Sequence, residues 1–431
     1  MQQSASQQLG KVVGASIIGT MIEWFDFFIF GVAAALVFNK LFFPMSDPLV
    51  GTLLAFSTYA LGFVARPLGG VIFGHFGDRI GRKKLLMISL VVMGLSTTAI
   101  GLLPTYAQVG VLAPILLTLL RLLQGFAVGG EWGGAVLMVA ETSPPDKRGF
   151  WTSWPQVGAP AGNLLAAGVF AVVTAMMPED EFLSWGWRVP FLASIVLVAI
   201  GYWLRRAVEE SHIFEQEADA SGVEAYPAVE VVRRNPRALL VGAGLRFGEN
   251  LSYYVAAIFA ITYFTEIKGG SRDLILNAVL VGSALECLTM PFFAWLSDRI
   301  GRKPVYMFGV IGVSVSFLFF FGLLDKGSEA ALVLAISSVM ITHGAMYAPQ
   351  GAFIAELFPT RLRYSGASIA YQASSILAGS LAPMIALSLY RAYDATWPVV
   401  AYVIAGCVVT GVAVLLARET RGIVLHHANH H

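Results

Sequence analysis

The sequence predicts an all-α integral membrane protein: twelve transmembrane helices in two pseudo-symmetric six-helix halves. Three observations lead there. Of 431 residues, 57% are hydrophobic and only 13% charged, against about 25% charged in a soluble globular domain. Mean hydropathy is +0.71, and no soluble core absorbs that much apolar sequence. The apolar residues gather into twelve runs, each long enough for the ~20 helical residues that cross the hydrocarbon. Finally, a short charged hairpin, GHFGDRIGRKK at 74–84, returns as AWLSDRIGRKP at 294–304, with Asp78 and Asp298 220 positions apart. A charged device repeated half a chain apart marks a duplicated half.

The first six runs are 11–38, 50–76, 85–104, 112–140, 151–177 and 186–205; the second six are 238–265, 273–296, 304–324, 330–357, 364–390 and 396–417. The residue alternation of a membrane barrel is missing, so the runs are helices. Pro155, Pro160, Pro291, Pro349 and Pro383 imply kinks and close helix contacts. The expected organisation is a first bundle at 1–205, a polar linker at 206–237, a second bundle at 238–417 and a tail at 418–431. The linker holds an acidic stretch from Glu209 to Asp219, then Arg233, Arg234 and Arg237, with room for a short surface helix. The final LHHANHH reads as a tail rather than a metal site. Cys287 and Cys407 both sit in apolar runs and suggest neither a disulfide framework nor a metal site. No cleavable signal peptide is expected, because the first apolar run is far longer than such a segment.

Basic residues set the orientation. With the DRIGR hairpins on the cytoplasmic side, nineteen Lys and Arg residues are cytoplasmic, six lie outside and three (Arg66, Arg121, Arg246) lie within runs. This positive-inside asymmetry places both termini in the cytoplasm of a plasma (inner) membrane. The net charge of +1 argues neither for nor against a nucleic-acid partner, and none is expected. A second repeated element supports duplication: AETSPPDKRGF at 140–150 and AELFPTRLRYSG at 355–366 place Glu141 and Glu356, and Arg148 and Arg363, each 215 apart.

GHFGDRIGRKK resembles the signature between helices 2 and 3 of the major facilitator superfamily, and RLLQGFAVGGEWGGA at 121–135 resembles its helix 4 motif. With IEWFDFFIFG at 22–31 and FLSWGWRVPF at 182–191, the chain resembles the metabolite:proton symporter family, most of all its shikimate branch. The likeness covers essentially the whole chain. It implies the major facilitator fold and proton-coupled uptake of a small organic acid by alternating access. No cofactor is implied, the proton being the coupling ion. The partners are then a small carboxylate, a proton and the lipid bilayer, for a chain acting as a monomer. The alternatives are symport of a zwitterionic osmolyte of the proline betaine type and, behind it, export or antiport. The osmolyte members resembled end in a long coiled coil, whereas this sequence stops soon after Arg421.

The hairpin reads as a gate. Asp78 can sit at the end of a helix from the other half, where unpaired N–H groups favour an anion, and the arginines can pair with Glu141 or Glu356. The gate set is Gly74, Asp78, Arg79, Arg82, Glu141, Arg148, Asp298, Arg299, Arg302, Glu356 and Arg363. The plainer alternative is a basic loop that only fixes topology.

Leaving His343 aside, eight ionisable residues are read as lying inside apolar runs: Glu23, Asp26, Arg66, Arg121, Glu131, Arg246, Glu249 and Glu286. Each costs about 2.5–3.5 kcal/mol at a helix centre, so each should face water or a partner. Glu23 and Asp26 share a helical face. Two carboxylates that close resist double ionisation, which suits proton coupling; the alternative is a packing brace. Arg121 and Glu131, about 15 Å apart on one helix, need partners elsewhere, and Asp26 is a candidate for Arg121. Arg121 then either releases to a substrate carboxylate when Asp26 is protonated or stays a permanent brace. Arg246 and Glu249 either neutralise each other or offer a second substrate arginine and an acid. Glu286 has no obvious place. His343 either relays protons or bonds a substrate hydroxyl, or only packs. Arg66, beside Pro67, is expected to snorkel toward the cytoplasm. Proton-coupling candidates are therefore Asp26, Glu23, Glu131 and Glu249. Substrate-binding candidates are Arg121, Arg246, Trp132, Trp154, Gln156, Asn163, Asn250, Tyr253, Tyr254, His343, Tyr347, Gln350, Tyr371 and Gln372. Nothing resembles a nucleophile–base arrangement, a metal-ligand cluster or a nucleotide loop, so no enzymatic activity and no ATP drive are expected. A channel is disfavoured by the repeated gate.

Overall fold

Every predicted run is helical in the computed structural model. It describes residues 2–45, 47–80, 82–129, 131–206, 227–359 and 362–423, without the side chains of 2–8, 11, 70–80, 82–86, 131–135, 204–206, 227–229, 364 and 377. The gate candidates Gly74, Asp78, Arg79 and Arg82 and the site candidates Glu131 and Trp132 therefore have side chains outside the described residues, as does the histidine-rich end.

Helix α1 runs Gln2–Ala33 and continues through a wide π turn, Ala34–Phe38, to Leu41. Next come α2 (Pro48–Ile80) and α3 (Arg82–Gly101). The fourth run is described as two segments of α4, Leu112–Val128 and Glu131–Thr142. Helices α5 (Arg148–Met176) and α6 (Arg188–Arg206) complete the first half. A short helix, Pro227–Arg234, precedes α7. Helix α7 is Pro236–Tyr254 and continues through two π turns, Val255–Phe259 and Tyr263–Ile267. Then follow α8 (Arg272–Ile300), α9 (Arg302–Leu324), α10 (Glu329–Leu357), α11 (Arg363–Ser374, extended by Ser375–Ser380 and Ala382–Tyr393) and α12 (Trp397–Leu416).

Among the described residues, eight helices are individually long and apolar enough to cross a membrane. A pair bent by 45°, Glu179–Gly186 with Arg188–Trp203, makes a ninth, and Met87–Gly101 and Leu112–Val128 are shorter apolar helices. Pro155, Pro160, Pro291 and Pro349 all lie inside helices.

Glycine decides how closely two of these helices approach. A Cβ on Gly125 of α4 would sit 1.8 Å from the backbone oxygen of Gly62 on α2, so only hydrogen fits there. In the second hairpin Gly301 has φ +108°, a conformation other residues rarely adopt, which lets α8 turn directly into α9.

The halves meet along two seams: α5 lies against α8 and α10, and α2 against α11. The duplication extends to local geometry. The π turns of α1 and α7 start at Ala34 and Val255, 221 positions apart, almost the spacing of the hairpin aspartates.

Candidate functional site at the interface of the two halves

Ten residues from both halves surround a small central cavity: Trp24, Phe28 and Ala159 from the first, and Arg246, Glu249, Asn250, Tyr253, Tyr254, His343 and Tyr347 from the second. Its volume is about 10 Å³, at the lower limit for one water molecule. The halves are closed around it.

The second half supplies the polar wall. Arg246 and Glu249, three apart on α7, do meet, Nη1 to Oε2 at 3.3 Å. Arg246 also donates to Gln350 Oε1 at 3.0 Å and to Ser375 Oγ at 3.3 Å, and its Cζ lies 3.3 Å from the centre of the Tyr371 ring. Gln350 donates to Glu249 at 3.0 Å and to the Tyr306 hydroxyl at 2.7 Å. His343 on α10 joins two helices. Its Nε2 is 2.8 Å from Glu249 Oε1, and its Nδ1 is 2.5 Å from Glu286 Oε1 on α8. Both ring nitrogens thus face carboxylate oxygens. A neutral imidazole has one N–H, so one contact needs a further proton, on the ring or on a carboxyl. His343 thus bridges α7 and α8, and Glu286, unplaced by sequence, is its second partner. Tyr253 and Tyr347 flank the imidazole at 4.7 and 5.4 Å between ring centres.

The first half differs from expectation in two places. Asp26 and Arg121 are both buried, yet no ion pair joins them. Arg121 Nη1 donates to Gln124 Oε1; Gln124 Nε2 donates to Thr97 Oγ1 at 2.7 Å; Thr97 donates to Asp26 Oδ2 at 2.9 Å. Ser194 donates to the other Asp26 oxygen. Asp26 therefore points at α3 and α6, away from the cavity. Helix geometry explains the miss: Gln124, three residues after Arg121, occupies the same face and intercepts it. Arg121 itself rests over Phe27, Phe30 and Tyr59, 4.1–4.7 Å from their ring centres. The second correction is Arg66, which does not snorkel. It is 1% exposed and lies over Phe27 at 3.9 Å, Phe63 at 4.4 Å and Trp24 at 5.8 Å. Fourteen residues of helix, about 21 Å, separate it from the end of α2 at Ile80, beyond the reach of one side chain. Glu23 is buried and partnered.

Other candidates support the wall rather than line it. Gln156 donates to the Tyr347 backbone oxygen at 3.3 Å, and Asn163 to Ser283 Oγ at 3.0 Å, both across the halves. Tyr371 lies behind Arg246. Gln372 is half-buried with Oε1 unpartnered. Trp154 is half-buried against Phe150, ring centres 6.0 Å apart, away from the cavity.

The hairpin side is sealed by a buried network. Asp298 accepts from Gly149 N at 2.9 Å and Phe150 N at 2.8 Å, the first turn of α5 in the other half. This is an anion at a helix terminus, made by Asp298, the repeat partner of Asp78, whose own side chain lies outside the described residues. Arg302 holds Asp298 at 2.6 Å and Glu356 at 3.3 Å, and Arg148 reaches Glu356 from the first half at 2.9 Å. Arg363 pairs with Glu141 at 3.3 Å. Arg299 does not join: it is exposed and lies over Trp295, 4.2 Å from the ring centre. Sequence reasoning overlooked the chain after α12. Thr420 donates to Glu356 at 2.6 Å, Arg148 donates to Ile423 O at 2.9 Å, and the Glu419 carboxylate accepts from the backbone of Arg302 at 2.9 Å and Lys303 at 3.1 Å. On the opposite side, exposed pairs link the halves: Arg272–Glu179 at 2.8 Å, Lys40–Glu179 at 3.5 Å, Lys40–Glu266 at 3.6 Å, and Arg391–Asp47.

Residues 11–236 and 214–431 match the family described as sugar (and other) transporters. The chain belongs to this family. It is 44% identical over 410 residues to the shikimate transporter of Escherichia coli K12, covering 94% of each chain. It is 40% identical over 420 residues to the inner membrane metabolite transport protein YhjE of the same organism, covering 95% of this chain and 94% of the relative. Among solved structures, the major facilitator proton:xylose symporter XylE superposes with a TM-score of 0.73 at 17% identity, over 97% of this chain and 98% of the other. That likeness establishes the major facilitator fold for this member of the family. Its signal for the overlooked groups was faint: Thr97, Ser194 and Gln124 are single polar residues inside apolar runs.

Proposed function

We propose that the protein is a secondary active transporter that takes up a small organic acid, shikimate or a related hydroxylated carboxylate, in symport with a proton. It works by alternating access in the inner membrane, with the hairpins and both termini cytoplasmic. The observation that carries this is the central cavity, lined by a guanidinium, a carboxylate, an imidazole, an amide and phenols, with pairs between the halves on both sides of it. The two bundles, 1–205 and 238–417, are the rocking units, joined by 206–237. Such a lining suits a small hydroxylated anion, and the shikimate relative supports the substrate class. The basic asymmetry of the loops supports the orientation.

The second half supplies a coupling route. At rest Glu249 neutralises Arg246. Glu249 also touches His343, which touches Glu286, so a proton reaching this cluster can settle on Glu249. Arg246 is then free for a substrate carboxylate, which it can hold through two parallel N–H donors. Asn250, Tyr253, Tyr254 and Tyr347 offer hydrogen bonds to ring hydroxyls. Without a proton, Glu249 and the substrate compete for one cation. Asp26, with Glu23, is the acid site of the first half.

The test is uptake in proteoliposomes with an imposed inward proton gradient, offering labelled shikimate, other small carboxylates and proline betaine in parallel. Accumulation of a carboxylate that collapses with a protonophore is expected. Accumulation of betaine alone would move the chain to the osmolyte reading. No gradient-driven uptake by folded protein would overturn symport.

A further inference from the structure

Six arginines among the described residues are buried: Arg66, Arg121, Arg148, Arg246, Arg302 and Arg363. Five of them donate to oxygen acceptors: Arg121 to Gln124, Arg148 to Glu356, Arg246 to Glu249, Arg302 to Asp298 and Arg363 to the Ala355 backbone. Arg66 is different. Its Nε and Nη2 make no hydrogen bond, and no ion pair to it is found among the described residues. These two nitrogens form the side-on edge of the guanidinium, whose parallel N–H groups match the two oxygens of one carboxylate. A brace between helices would use those donors. Aromatic faces hold the cation instead, a contact that stabilises positive charge without using its N–H groups.

Its position points the same way. Trp24, under Arg66, lines the central cavity. Tyr254, also in the lining, and Tyr371 stand within electrostatic reach of both Arg66 and Arg246. Arg66 belongs to α2 and Arg246 to α7, on opposite sides of the interface between the halves. Phe63 of α2 packs edge-on against Tyr254 with ring centres 5.8 Å apart, so the wall between Arg66 and the cavity is made of side chains.

We infer that Arg66 is a carboxylate-binding residue of the first half, taking the substrate carboxylate through Nε and Nη2 once the surrounding rings move aside. This rests on the organic-acid reading above and adds to it a specificity-determining residue. A single anion drawn by arginines from both halves also gives a reason for the halves to close on loaded substrate.

The test compares wild type, Arg66→Lys and Arg66→Gln in proteoliposome exchange, which needs no proton gradient. Labelled shikimate is competed with unlabelled shikimate and with its uncharged methyl ester. Wild type should prefer the acid. Arg66→Gln should weaken the acid about 100-fold, the scale of a lost pair of charge-assisted hydrogen bonds, and leave the ester unchanged. Arg66→Lys should weaken the acid about tenfold, since it keeps the charge and loses the fork. Equal losses for acid and ester, or undiminished preference for the acid in both variants, would overturn the assignment while leaving acid transport standing. Failure of both variants to fold would overturn it as well, by making Arg66 a brace. Absence of carboxylate exchange in wild type would remove the organic-acid reading itself, and this inference with it.

Discussion

Arg148 of α5 and Glu356 of α10 join the two halves at 2.9 Å, with the arginine side chain 3% exposed and the glutamate 0%. Glu356 also takes Arg302 and Thr420. Removing its charge leaves the buried Arg148 without this anion and Arg302 with Asp298 alone, a loss of about 3–5 kcal/mol when one partner of a buried pair is deleted. Glu356→Gln should therefore release the hairpin side. With Cys287 and Cys407 replaced, a Ser153→Cys probe on α5 should react with a hydrophilic thiol reagent at least about tenfold faster in the Glu356→Gln background, a shift of ~1.4 kcal/mol. An unchanged rate would mean that the seal does not depend on this carboxylate.

Glu249→Gln fixes the site in the form in which Arg246 is free. Accumulation driven by a proton gradient should fall to the level of simple equilibration, while exchange of labelled for unlabelled substrate continues. Gradient-driven accumulation at the wild-type level would remove Glu249 from the coupling route.

Asp26→Asn keeps the shape of a side chain that accepts from Thr97 and Ser194 and removes its charge. Accumulation should be lost with some exchange retained. Intact accumulation would confine the coupled proton to the Glu249–His343–Glu286 cluster.

Glu286→Gln removes one of the two carboxylates that His343 bridges at 2.5 and 2.8 Å, and with it the need for an extra proton there. Substrate affinity measured by exchange should then vary less with pH than it does in wild type. A profile identical to wild type would make the bridge structural.

Gly125→Ala puts a methyl 1.8 Å from the Gly62 oxygen. Overpacking of this kind costs about 1–3 kcal/mol, so the variant should unfold at a lower temperature in detergent. Gly10→Ala, with nothing within 4 Å of the new Cβ, is the matched control and should unfold like wild type.

The twelve-helix fold was legible because its signals are local and repeated: apolar runs of membrane length and a charged hairpin that recurs. The site was legible where partners lie one helical turn apart, as with Arg246 and Glu249. It was not legible where partners come from different helices. Nothing in the sequence announces that His343 meets Glu286, 57 residues earlier, or that Gln124 stands between Arg121 and Asp26. Arg66 was misjudged because a proline beside it suggested a helix end, whereas α2 continues through Pro67 to Ile80. The chain after α12 was taken for a tail, since a single Glu419 and Thr420 carry no periodicity; their role depends on where α9 and α10 end.

The matching π turns of α1 and α7 give each half one spare residue near the membrane face opposite the hairpins. Returning such a turn to the ordinary 3.6-residue winding rotates everything beyond it by about 100° per residue. The mouth opposite the hairpins can thus dilate by rewinding two helix tips in place, like an iris, without first dragging the buried hairpin network apart. On that face exposed ion pairs hold the halves together, whereas the hairpin side is held by buried ones, so the face opposite the hairpins is the cheaper of the two to part.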